Sequence, residues 1–156
     1  MSKLVDIAGY LVANYPYPGQ LSNARLTKMI YLADWYHTVL TGRRLTEINW
    51  YFDHYGPYVK DVFESLRLDS RFKVEHSTNL YGKKKEVVTL VADVPRKWEL
   101  QADEKESLDI VISKCKKLNW NAFIELIYST YPIQESDRHS TIDLSALAGK
   151  FSRSCK

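Results

Sequence analysis

Apolar residues recur along this chain in two periods, helical over most of its length and alternating in short stretches. Leu4, Ile7, Ala8, Leu11 and Val12 keep the i, i+3, i+4, i+7 spacing of an amphipathic helix. Ser2 is placed to cap it, and Pro16, Pro18 and Gly19 end it, because neither residue type continues a helix comfortably. Ser22 or Asn23 then caps a second helix that reaches about residue 40. Leu26, Met29, Ile30 and Ala33 form one stripe on it, and Leu32, Trp35, Tyr36 and Val39 form another. Two apolar faces predict burial on both sides, which makes this the expected central helix, with Gly42 as its C-terminal stop.

The period changes to two from residue 47 to 53, where Ile48, Trp50 and Phe52 alternate with Asn49, Tyr51 and Asp53, as in a short strand. Gly56-Pro57 is expected to restore the helical period, with Pro57 at the first helical position and Val59, Val62, Phe63 and Leu66 inward. Residues 72–75 and 86–91 have strand composition and are joined by a turn near Tyr81-Gly82-Lys83. Beyond Pro95, Asp103 is expected to cap a helix bearing Leu108, Val111, Ile112, Cys115 and Leu118, with Glu106 closing a capping box. Asn119 or Trp120 opens the next helix, carrying Phe123, Ile124 and Ile127 and ending before Pro132. After a polar loop, Asp143 caps a last short helix through Leu144, Leu147 and Ala148, and residues 151–156 are expected to fray. The expectation is a single α+β domain over residues 1–156, predominantly α-helical, with one small antiparallel sheet.

Composition narrows the function classes. With 45% hydrophobic and 26% charged residues in a 156-residue chain, disorder is excluded as the main state and a full core is within reach. Lys+Arg 22 against Asp+Glu 19 leaves only +3, too weak an excess to read as a nucleic-acid signature. Cys115 and Cys155 are too few for a disulfide framework or a zinc site, and Cys115 falls on an apolar stripe. No run of residues is long and apolar enough for a membrane span, and Asp6 interrupts any signal-peptide core, so the expected location is cytoplasmic. Aromatic residues, at 13%, bunch between Tyr31 and Phe63 and again between Trp120 and Tyr131. Tyr and Trp pair an apolar body with a polar handle, which suits both a small core and a partner interface.

Catalytic signatures are sparse. The six glycines are scattered, with no phosphate-binding loop, and His37, His54, His76 and His139 form no i, i+3 or i, i+4 metal pair. Glu135, Ser136, Asp137, Arg138 and His139 hold every residue type an acid–base site needs, yet read equally as a polar connector. Lys28 and Asp34 lie on the doubly apolar helix, where a buried charge must be paired or hydrogen-bonded; a structural tie to a neighbouring loop is the simpler reading.

Three blocks in this order and spacing are similar to the Panacea, or SocA-like, antitoxin domain: Leu26-Thr27-Lys28-Met29-Ile30-Tyr31-Leu32-Ala33, then Gly42 with Leu45, then Tyr55-Gly56-Pro57 with Val59, Val62 and Phe63. The match spans about residues 21–68, with one departure: Phe52-Asp53 stands where the family often carries Ala-Trp. The resemblance implies an antitoxin that neutralises a co-encoded toxin by direct binding, without catalysis, cofactor or metal. It also implies, in the SocA-like branch, an adaptor that hands the toxin to a cytoplasmic protease, and an occurrence in prophages and defence loci.

On that reading the scaffold signature is Leu26, Lys28, Tyr31, Gly42, Gly56 and Pro57. The expected partner-binding residues are Arg43, Arg44, Tyr51, His54, Tyr55, Tyr58, Lys60 and Arg67, since rings and arginines usually dominate interface energy. Asp53, Asp61 and Glu64 would join them if the toxin handles nucleotides or RNA. The alternative is a nucleic-acid-binding autoregulator of its own operon, resting on Lys83 to Lys85 and on Lys114, Lys116 and Lys117. A third reading, a small enzyme, requires a pocket gathering Lys28, Asp34, His37 or His139.

Overall fold

In the computed structural model, which describes residues 2–78, 82 and 84–154, the doubly apolar segment is the axis of the molecule. This helix, α2 (Asn23–Thr41), starts where the Ser22 hydroxyl accepts the Arg25 N–H and stops at Gly42, whose φ of +76° lies in the region glycine favours. Every residue from Arg25 to Trp35 is buried, as its two stripes require. Against it pack α1 (Ser2–Asn14), α4 (Ala102–Cys115) and α7 (Leu144–Ser154), the broadest contacts coming from α4 and α7. The remaining helices are short: α3 (Asp61–Arg67), α5 (Trp120–Ser129) and α6 (Tyr131–Gln134).

Two separate antiparallel hairpins stand where one sheet was expected. The first joins β1 (Tyr51–Asp53) to β2 (Gly56–Tyr58) with Phe52 opposite Pro57; the second joins β3 (Phe72–Thr78) to β4 (Lys84–Leu90) with Val74 opposite Val88. An isolated bridge between Ser22 and Val87 attaches the second hairpin to the start of α2. The class is α+β and predominantly helical.

Pro57 therefore opens no helix. It lies in β2, and α3 begins four residues later at Asp61. The hairpin tolerates a proline because Phe52, its partner, turns its own backbone groups the other way. Phe52 N donates to Ser140 O at 2.9 Å, and His139 N donates to Phe52 O. Pro57 thus occupies a pair that exchanges no hydrogen bonds, where its missing N–H costs nothing.

Two other expectations shift. The capping box of α4 is formed by Gln101 and Glu104, not Asp103 and Glu106: Gln101 N donates to Glu104 Oε1 at 2.8 Å, and buried Glu104 pairs with Lys3. Asp103 sits inside the first turn and pairs with Arg43. The tail expected to fray from residue 151 is helical through Ser154, because the Phe151 ring packs edge-on against Trp35 and Tyr131. The capping side chain expected at Ser2, the turn residues Tyr81 and Lys83, and Cys155 and Lys156 lie outside what is described.

Candidate functional site

The candidate site begins with a buried carboxylate that fixes the chain leading into the first hairpin. Asp34 is fully buried on α2. Its Oδ1 accepts Arg44 Nε at 3.0 Å and Leu45 N at 2.9 Å; its Oδ2 accepts Arg44 Nη2 and the Thr46 hydroxyl at 2.6 Å and Trp50 Nε1 at 2.9 Å. Arg44 also donates to Ile48 O. The whole segment from 44 to 50 is thereby folded back onto α2, and the Trp50 indole is clamped edge-on against Tyr31. Arg44, expected on a docking face, is consumed in this tie. Gly42 reverses the chain, so Arg44 meets the carboxylate ten residues behind it.

The hairpin that follows is held on its outer edge by the 138–142 segment through Phe52 and through Ile142 N donating to Trp50 O. Its tip carries Tyr55, 75% exposed, with the His54 ring edge-on against it at 4.6 Å. Tyr51, 37% exposed, lies 6.4 Å from the His139 ring, and Arg138 sits over Phe52. The braced hairpin thus shows two exposed ring pairs, Tyr51 with His139 and His54 with Tyr55, whereas Arg138 lies over Phe52, which points to the opposite, buried face of β1.

The other expected partner-binding residues are divided among different places. Lys60 is exposed just before α3, and Arg67 is exposed in its last turn over the Phe63 ring. Arg43 is tied to Asp103 at the start of α4. Tyr58 is half-buried, accepts from Asn23 Nδ2, and borders a separate groove. Of the acids, Asp61 and Glu64 are exposed, whereas the Asp53 side chain accepts the His54 N–H.

Apart from Gly42, which is exposed in the turn after α2, the scaffold signature lies inside. Leu26 and Tyr31 are fully buried, with the Tyr31 hydroxyl bonded to Thr130. Gly56 has a φ of +103° and packs against Ile127, Tyr128 and the Lys28 stem. Lys28 is only 3% exposed, and among the described residues no carboxylate comes within 4 Å of its ammonium. Burial lowers its pKa to about 8, with Asp53 pulling weakly the other way, and the Tyr58 ring lies 5.8 Å away. His37 bonds Ser107 at 2.9 Å. Cys115 is buried in the core, and burial pushes its thiol up to about 12, far from a reactive thiolate.

The two lysine runs on which the nucleic-acid alternative rests are brought together by the fold. A groove of about 1250 Å³ opens between the second hairpin, the start of α2, the end of α4 and the start of α5. It brings Lys84 and Lys85 together with Lys116 and Lys117, each 32 residues further on. The signal was present as two lysine pairs, but nothing local connects them.

No curated protein and no solved structure matches the chain. The family model described as "Antitoxin SocA-like, Panacea domain" matches residues 26–132, from the central helix through the second hairpin and α4 to α6. With more than two thirds of its length inside that match, the chain belongs to the SocA-like antitoxin family with a Panacea domain.

Proposed function

We propose that this protein is the antitoxin of a toxin–antitoxin pair and neutralises a co-encoded protein toxin by direct contact, carrying out no reaction itself. The docking face in this reading is the first hairpin, with Tyr51, His54 and Tyr55 as anchors and Lys60 on the rim. The observation that carries it is two exposed ring pairs on a backbone braced from both sides, by the Asp34 tie and by the 138–142 segment. Such a face loses little freedom on binding, and rings of this kind contribute most of an interface's energy. A standard interface of roughly 1,600 Å² in total is well within the surface of a domain this size.

Other facts favour binding over catalysis. Asp34 is saturated by donors, His37 is held by Ser107, and Lys28 is enclosed by Gly56, Tyr58 and the helix core. Asp34 and His37, two of the candidates for acid–base work, therefore already have structural tasks.

Co-expression tests the reading. Tyr51→Glu combined with Tyr55→Glu places two charges on the anchor surface without touching the core. The double variant is expected to fold, by circular dichroism, and to lose the rescue of growth when the toxin is induced beside it. Undiminished rescue by the folded double variant would put the toxin elsewhere. Delivery to a protease is the finer step of the same reading, and toxin half-life separates it from sequestration: shortened by the antitoxin in the first case, unchanged or lengthened in the second.

A further inference from the structure

The groove beside Trp120 lies apart from the hairpin tip and has no part in the reading above. Five cationic side chains, Lys84, Lys85, Lys116, Lys117 and Arg25, line it against one carboxylate, Glu86, a local excess larger than the +3 of the whole chain. Arg25 is the innermost of them. It is 4% exposed, and its Nη2 donates to Cys115 O and Leu118 O at 2.8 Å, capping the end of α4. Among the described residues its Nε has no hydrogen-bond partner and no carboxylate pairs with it, and the carbonyl end of α4 offsets only part of its charge. The first turns of α2 and α5 also open onto the groove through Asn23, Ala24, Asn119 and Trp120, adding positive helix-end potential. Two rings edge the same space: Tyr17, 49% exposed, and Trp120, 45% exposed.

The geometry points to a binding site for a short single strand of nucleic acid, with phosphates along the lysines and bases against Trp120 and Tyr17. A cationic groove alone would accept any polyanion. Exposed rings beside the cations are what a single strand uses, since every unpaired base has a face to stack. A duplex would hide those faces. At about 1250 Å³ the space exceeds the roughly 300–1,000 Å³ of ordinary small-molecule sites, room for more than one nucleotide.

Fluorescence anisotropy of a labelled ten-residue oligothymidine with the full chain tests this, beside a hairpin DNA duplex and a glutamate peptide of matched charge. The single strand is expected to bind, with log affinity falling against log salt at a slope of about −2 to −3 for three or four phosphates. Lys84→Glu with Lys117→Glu should weaken binding by about tenfold or more and flatten that slope. Trp120→Ala should weaken it by about fivefold or more while Trp120→Phe, which keeps a stacking face, retains most of it. Equal binding of the glutamate peptide would overturn the proposal and assign the groove to an acidic protein segment. Preference for the duplex, or single-strand affinity indifferent to Trp120 and to the lysines, would overturn it as well. Toxin neutralisation is not read in this experiment, so its failure leaves the antitoxin reading standing.

Discussion

Asp34 is the residue on which the first hairpin depends. A buried carboxylate is tolerated only with its lone pairs filled, and here the Arg44 fork, the Thr46 hydroxyl, the Leu45 amide and the Trp50 indole fill them. Asp34→Ala would leave those donors unpaired together and is expected to cost about 3–5 kcal/mol in urea unfolding, a large fraction of a typical domain's stability. Asp34→Asn should recover little, because its amide group turns N–H donors toward other donors. A loss under 1 kcal/mol for Asp34→Ala would show that the segment from 44 to 50 is held by other contacts. That Asp34 is buried and tied to a loop was legible from its place on a doubly apolar helix. Its partner was not, since Arg43 and Arg44 are adjacent and chemically alike, and only the left-handed turn at Gly42 decides which of them faces inward.

Among the elements, the irregular stretch between β4 and α4 is held by a ring laid on a glycine. Trp98 lies so close to Gly9 of α1 that a Cβ there would fall 2.4 Å from the indole. Helix propensity alone predicts that Gly9→Ala stabilises by about 1 kcal/mol. The packing predicts the opposite sign, a loss of about 1–3 kcal/mol, since neither the ring nor the helix backbone can yield cheaply. The urea midpoint of Gly9→Ala decides between them: a fall supports the contact and a rise contradicts it. The long elements were readable from periodicity because burial of a face is a property of the segment itself. The start of β2 was misread because Gly-Pro has the same local signature before a helix and inside a hairpin edge. What separates the two is Phe52 bonding to Ser140 and His139, nearly ninety residues away in sequence.

Across the whole molecule, buried titratable groups set a stability optimum on the alkaline side. Burial lowers Lys28 to about 8 in the folded chain from its ordinary 10.5, so between those values the unfolded chain binds more protons and stability rises with pH. Cys115 acts in the opposite sense. Its thiol is raised from 9.0 to about 12, so above pH 9 the unfolded chain loses a proton that the folded chain keeps, and stability falls. Tyr31, raised by burial, steepens that fall above pH 10. Urea unfolding at pH 7, 8, 9 and 10 is therefore expected to show a maximum near pH 9, gained at about 1 kcal/mol per pH unit at most. Lys28→Met should abolish the rise and leave stability at pH 7 equal or higher; a rise that survives the substitution would assign it to another group. The basic groove is likewise a property of the whole molecule. Lys84 and Lys85 meet Lys116 and Lys117 only because the Ser22–Val87 bridge and the Arg25 bonds to the end of α4 gather three elements at one end of α2.

The hairpin face itself is tested most directly by calorimetric titration of the purified chain with the toxin that the proposed function assigns to it, comparing the natural chain with Tyr51→Ala combined with Tyr55→Ala. The double variant is expected to keep its circular dichroism and unfolding midpoint but to bind with a dissociation constant about thirtyfold higher or more, as where interface anchors are lost. An unchanged dissociation constant in the folded double variant would contradict the hairpin face as the docking site.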